Sequence, residues 1–399
     1  MRYSGFVFIL LMLVMSYPAQ ADDATITTCD FAIFSSAMTT LNRDGGTLTI
    51  DCSGVITVPV HQVIRHDVTI TATGAVIFDG EGRSVHFIIQ EDASLTLVNL
   101  TLKNGYDVAA GGAIINYGTL TTEGIIFDAN FAPNAGGAIL NFGDLTIQNT
   151  KFLNNSTSFT PEAQQFIESG GAIANMPDGT VTISNSTFSG NRANLGGAII
   201  NVGAMDIVDS TFLDNEAVYA GVIFYGSPSS TLTISDTLFS DNIAKYGGVF
   251  YVEGAELTLS NSQVTNNRGR SEGGVIFNND GIIFLVESHF EANSAPIGGV
   301  INNYLGTINS IRNTFYANTT VNQGGAIYNN DTVTISNSTF YQNHADDRGG
   351  AIYNFGQNTN VRILHSTFAE NTATVGLGTF YNYGTMTSTY SIFSGGANQ

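Results

Sequence analysis

A motif reading Gly-Gly-Ala-Ile-x-Asn recurs along the chain, most copies being followed by Phe-x-x-Asn. The first copy opens at Gly111-Gly112-Ala113-Ile114, with Phe127 fifteen residues after the second Gly and Asn130 closing the unit. A late copy reads Gly349-Gly350-Ala351-Ile352, with Phe368 and Asn371. The second Gly falls at 112, 137, 171, 197, 221, 248, 274, 299, 325 and 350, and again at 378, where Leu377 replaces its partner. Nine of the ten intervals lie between 24 and 28 residues. A unit so short cannot bury an apolar face alone, so the period dictates one small unit stacked many times.

Residues 324 to 349 show what the unit is. Gly324-Gly325 turns the chain, Ala326 to Asn329 is a short strand, and Asn330-Asp331 turns it again. Thr332-Val333-Thr334-Ile335-Ser336 alternates polar and apolar at period two, as a half-buried strand does. A third strand, Thr339-Phe340-Tyr341, is closed by Asn343. No helical period runs through the unit. The spacing predicts an all-β chain, a parallel β-helix of three strands and about 25 residues per coil.

Coils about 4.8 Å apart place each position above its counterpart. Ile114 and its equivalents are expected to form an aliphatic ladder. Phe127, Phe152, Phe188, Phe212, Phe239, Phe290, Phe315, Phe340 and Phe368 are expected to form an aromatic one, with Val264 as the exception. Asn116, Asn141, Asn175, Asn201, Asn278, Asn303, Asn329, Asn354 and Asn382 stand where a strand must turn. There a side-chain amide can satisfy turn backbone and bond the Asn of the next coil.

The chain divides into residues 1–21, 22–110 and 111–399. The first segment reads as a secretion signal: Arg2, an apolar run from Phe6 to Met15, and a small-x-small site at Ala19-Gln20-Ala21. No other stretch is long and apolar enough for a membrane-spanning helix. Removing that segment takes away Arg2 and turns the formal charge of −20 into −21. So acidic a surface excludes nucleic acid as a partner. Cys29 and Cys52, the only cysteines, are expected to form a disulfide. Between them, Phe31, Phe34, Ala37, Met38 and Leu41 lie on one face of a helix from Asp30 to Asn42, a cover for the first coils, which are irregular up to residue 110. At the far end, Phe393 falls in the Phe ladder without a following Asn, leaving an expected open edge for self-association. The interval from 137 to 171 is 34 residues, its surplus lying in Ser156 to Ser169, with a short helical stretch at 163–167.

The linked GGAI and FxxN motifs resemble the repeats of the chlamydial polymorphic outer membrane proteins, which also occur in secreted bacterial β-helix proteins. The resemblance spans roughly residues 111 to 393. It implies a right-handed parallel β-helix, secreted or held at the cell surface or outer membrane, with an adhesive role toward glycans or cell-surface proteins. Six residues follow Phe393, so the C-terminal autotransporter barrel of that family is not expected.

Parallel β-helices also include polysaccharide lyases and glycoside hydrolases, whose chemistry needs paired carboxylates, or carboxylates with a base, on neighbouring coils. The nearest candidates are Asp346 and Asp347, beside His344 and Arg348, with Glu370, Arg362 and His365 about one coil on. Asp128, Asp214, Asp241, Glu291 and Glu370 form an irregular acidic file without a calcium-binding repeat. No zinc spacing, phosphate loop or nucleophile elbow is present, so neither a cofactor nor a metal is expected. The reading that follows is a non-catalytic structural or adhesive β-helix, with a carbohydrate-active enzyme of the same fold as the alternative.

Overall fold

The computed structural model describes residues 23–160, 169–226, 231–376 and 378–395. The expected signal segment and the stretch at 163–167 lie outside the described residues. The chain winds as a right-handed parallel β-helix of about 14 coils, every strand pairing in parallel with its counterparts in adjacent coils. In one coil Ile327–Asn329 pairs with Ile352–Asn354, Thr332–Ser336 with Asn360–Leu364, and Thr339–Tyr341 with Thr367–Ala369.

The sides of the coil differ from the sequence reading in one respect. The Ile strand and the Thr-rich strand belong to a single 26-stranded sheet, and unbroken strands Ile276–Val286 and Ile301–Ile311 run through both. The Phe strands make a second sheet of 14. The third side is an eight-stranded sheet formed after the closing Asn, from Arg192–Leu195 to Thr372–Ala373. Most of these short strands bury a single small residue, such as Ala193, Ala244, Thr320 or Ala345. No apolar alternation therefore marks them in the sequence.

Inside, one continuous core runs from Ile26 to Phe368. Phe127, Phe152, Phe188, Phe212 and Phe239 stack with centroids 4.5 to 5.1 Å apart and rings within 12° of parallel. Val264 interrupts the file, and Phe290, Phe315, Phe340 and Phe368 resume it at 4.4 to 4.9 Å. Full burial of one such ring contributes about 2–3 kcal/mol by area.

Two asparagine files run beside the rings. In the first, Asn116, Asn141, Asn175 and Asn201 are joined by amide hydrogen bonds of 2.7 to 2.9 Å. Tyr225 and Val252 break the file, which resumes from Asn278 through Asn303, Asn329 and Asn354 to Asn382. The second, made by the closing Asn of Phe-x-x-Asn, is unbroken from Asn130 to Asn371. Asn318 shows its bonding. Its Nδ2 donates to the Phe290 carbonyl at 3.0 Å and to Asn343 Oδ1 at 2.9 Å, and its Oδ1 accepts from the Asn293 backbone N–H and Nδ2.

Two corners of the coil are single residues in the left-handed region. One falls just before the buried Ser or Thr, as at Asn149, Asn185, Asp236 and Asn337, and the other between Phe and Asn, as at Asp214, Asp241 and Gln342. Asn and Asp tolerate that conformation, whereas Ala317 and Arg312 occupy it at a cost of about 1–2 kcal/mol. The paired glycines answer a tighter demand. Gly298 has φ +64°, and a Cβ on Gly299 would lie 2.1 Å from the Gly325 carbonyl oxygen.

The first coils are plugged by the helix Phe31–Asp44. Asp30 caps it by accepting the Ile33 N–H at 3.1 Å, and the Gly45 N–H closes it on the Leu41 carbonyl at 2.7 Å. Phe34, Met38 and Leu41 are buried, and Phe34 packs against Phe78 with centroids 4.8 Å apart. Cys29 and Cys52 are disulfide-bonded across 23 residues, tying the helix to the coils it covers. Closing a loop of that length stabilises by about 3 kcal/mol in the chain-entropy view.

Two outcomes follow for stability. Replacing Asn318 by Asp keeps the shape but sets a buried carboxylate against the Phe290 carbonyl and Asn343 Oδ1. The variant should lose about 3 kcal/mol or more at pH 7 in chemical denaturation, and less at pH 4, where the carboxyl is protonated. His86 is fully buried, with Nε2 3.0 Å from the Phe78 carbonyl and Nδ1 without a partner among the described residues. Burial lowers it to about 4. The unfolded chain then binds the extra proton between about pH 6.5 and 4. Stability should therefore be complete above pH 6.5 and fall by roughly 3 kcal/mol as pH drops to 4, a dependence absent from His86→Leu.

Candidate functional site

Because side chains alternate along a strand, the residue after each motif Ile points out of the coil. Phe224, Tyr251, Phe277, Asn302, Tyr328, Tyr353 and Tyr381 succeed one another at this position. The chain bends back on itself at the paired glycines, so this file meets the last residues of the third sheet. Those are Tyr219, Tyr246, Glu272, Ile297, Gln323 and Arg348, also in register. The two files make a longitudinal corner on the outside of the rod.

The corner changes character along its length. From Phe224 to Phe277 it is aromatic and closed: Tyr251 stacks on Phe224 at 5.1 Å and on Phe277 at 5.0 Å. Tyr219 and Tyr246 meet these rings edge-on at 5.3 and 5.6 Å. From Glu272 onward it is polar. Asn302 Nδ2 donates to Glu272 Oε2 at 2.6 Å. Tyr328, Tyr353 and Tyr381 stack at 5.3 and 4.9 Å. Arg348 lies 4.9 Å over the Tyr381 ring and donates to its hydroxyl at 3.3 Å. Asp347 sits 3.5 Å from Arg348 and accepts from Gln323 Nε2 at 2.7 Å. Gly376 leaves room for this guanidinium, since a Cβ there would come within 3.0 Å of Arg348 Cγ.

Burial sets the protonation of the corner. It pushes the Tyr251 and Tyr328 hydroxyls up to about 12, Tyr353 and Glu272 adding to the rise at Tyr328. Burial also raises Glu272, against the opposing hydrogen bond from Asn302. The tyrosines are therefore neutral donors at physiological pH.

The carboxylates singled out from the sequence do not converge. Asp346 turns to the face of the third sheet, where its Oδ1 lies 3.1 Å from His344 Nε2 beside a shallow groove of about 440 Å³ shared with Arg268 and Thr319. Asp347 turns into the corner. Glu370 stands at the opposite edge of the third sheet, accepting from Gln342 Nε2 at 2.8 Å and holding the Tyr341 hydroxyl above its ordinary value. Arg362 points outward from the Thr-rich strand, and His365 stacks on Tyr390 at 5.3 Å. Among the described residues, no group of three or more His, Cys, Asp or Glu is placed to hold a metal ion. No described helix is long and apolar enough to cross a membrane. The corner itself escaped the sequence reading, although the aromatic residues at the variable place of the motif were its visible trace.

A titration tests the corner. The unfolded chain releases tyrosine protons near pH 10, whereas Tyr328 and Tyr251 hold theirs to about 12. Their contribution to stability is complete below pH 10 and is lost as pH rises through 12. An absorbance titration of the folded protein should show late-ionising tyrosines, fewer by one in Tyr328→Phe.

Comparison with known families agrees with the fold. Residues 162–294 match the right-handed beta helix region, and residues 337–354 match the Chlamydia polymorphic membrane protein repeat. No curated protein and no solved structure matches the chain.

Proposed function

Starting from a right-handed parallel β-helix that carries the Chlamydia polymorphic membrane protein repeat, we propose a non-catalytic, adhesive rod, secreted or displayed at the cell surface. The observation that carries this reading is how the motif residues are spent. Gly, Ile, Phe and both Asn positions are taken up by turns, core and inter-coil hydrogen bonds. The residues left for chemistry face different surfaces, Asp346, Asp347 and Glu370 each having a separate partner. General acid–base chemistry on a glycoside needs two carboxyls about 5 to 10 Å apart across one bond, facing a common cleft. An elongated scaffold with varied side chains outside a constant core is suited to holding a partner along its length.

Purified protein should bind cells or immobilised glycans while leaving the polymers intact. Incubation with pectin, polyuronates and neutral polysaccharides should release no new reducing ends or unsaturated products. Depolymerisation that disappears in Asp347→Ala would overturn the reading and favour the carbohydrate-active alternative.

A further inference from the structure

We propose that the polar stretch of the outer corner, around Arg348, is a binding site for a neutral glycan. The proposal rests on the adhesive reading and names its ligand. Sugar rings present two chemistries together: apolar C–H faces, and a rim of hydroxyls that both donate and accept. Recognition therefore wants an aromatic surface next to a mixed set of fixed donors and acceptors.

The corner supplies both. Two residues beyond the stacked tyrosines, Phe355 and Tyr383 stand at the edge of the site, 45% and 59% exposed. Elsewhere in the corner the rings cover one another's faces, as Tyr251 is covered by Phe224 and Phe277. Tyr383 instead crosses Tyr381 at 67° with centroids 5.4 Å apart, and among the described residues it has no parallel partner. Beyond that crossing contact its ring remains open to solvent.

Beside it are the polar groups. Arg348 is a donor only and Asp347 an acceptor only, while the tyrosine hydroxyls serve as both. Arg348 is held by the Tyr381 ring and by Asp347, and Asp347 by Gln323, so the set is fixed before any ligand arrives. Preorganised groups of this kind lose little side-chain entropy on binding.

Charge decides which glycan. Arg348 and Asp347 cancel, and the protein around them carries a net charge of −20. A sulfated or uronic acid polymer would be repelled by the surface and meet a guanidinium already paired with a carboxylate. An uncharged sugar meets no such penalty. Its hydroxyls can donate to Asp347 and accept from Arg348 and the tyrosines.

The test uses the full chain and a panel of neutral gluco-, galacto- and N-acetylglucosamine oligosaccharides, with a polyuronate and heparin as anionic probes. Binding is measured by calorimetry. At least one neutral oligosaccharide should bind, and Tyr383→Ala and Arg348→Gln should each weaken it about tenfold or more. Tyr117→Ala, a distant exposed aromatic, should leave it unchanged. Tyr383 is largely exposed, so its loss should not move the melting temperature and serves even if Arg348→Gln disturbs the coil. Undiminished neutral-sugar binding in Tyr383→Ala would overturn the site while leaving the adhesive reading standing, as would binding of the anionic probes alone. Absence of any glycan binding would overturn the site, and the adhesive reading would then depend on cell binding.

Discussion

The buried amide ladder is the interaction on which the rest of the rod depends. Each closing Asn between Asn130 and Asn371 bonds both neighbours and a core carbonyl, which fixes the register of one coil on the next. A slip of one residue would turn every inward side chain outward and leave these amides unpaired in the core. The Phe file supplies apolar burial, but rings tolerate displacement better than amides do. The unbroken run from Asn130 to Asn371 fits that division, since the Phe file survives the substitution at Val264 while the closing Asn file has no gap.

Regularity inside frees the outside. Once Gly, Ile, Phe, Ser or Thr, and Asn have set the path, the residue after the motif Ile is held by geometry without having its identity dictated. It is Phe or Tyr over the middle of the rod and Asn302 where Glu272 lies beside it. The corner thus gains a graded surface, closed and aromatic at first, then polar, then exposed at Phe355 and Tyr383, with no change in the underlying coil.

The candidate carboxylates show how a solenoid misleads a reader of sequence. Asp346 and Asp347 are adjacent in the chain, and Glu370 follows about one coil later, so all three looked close. Adjacent residues at a strand end point opposite ways, so Asp346 faces the third sheet and Asp347 the corner. Glu370 comes before the third-sheet strand of its coil, whereas both aspartates come after theirs, and the width of that sheet separates them.

By itself, the sequence determined the repeat, its length, the parallel β-helix, the inward ladders, the capping helix and the pairing of Cys29 with Cys52. These follow from local periodicity and from residue types with one dominant physical use. The right hand came from resemblance. The tertiary structure alone decided that the Ile and Thr strands share one sheet, that a third sheet follows the closing Asn, and that the motif's variable residues meet that sheet at an outer corner. The shared sheet depends on how gently the chain bends after the motif Asn, where Ile276–Val286 and Ile301–Ile311 run through unbroken. The outer corner depends on how sharply it bends at the paired glycines. Each bend is set by stacking against neighbouring coils, which no single repeat encodes.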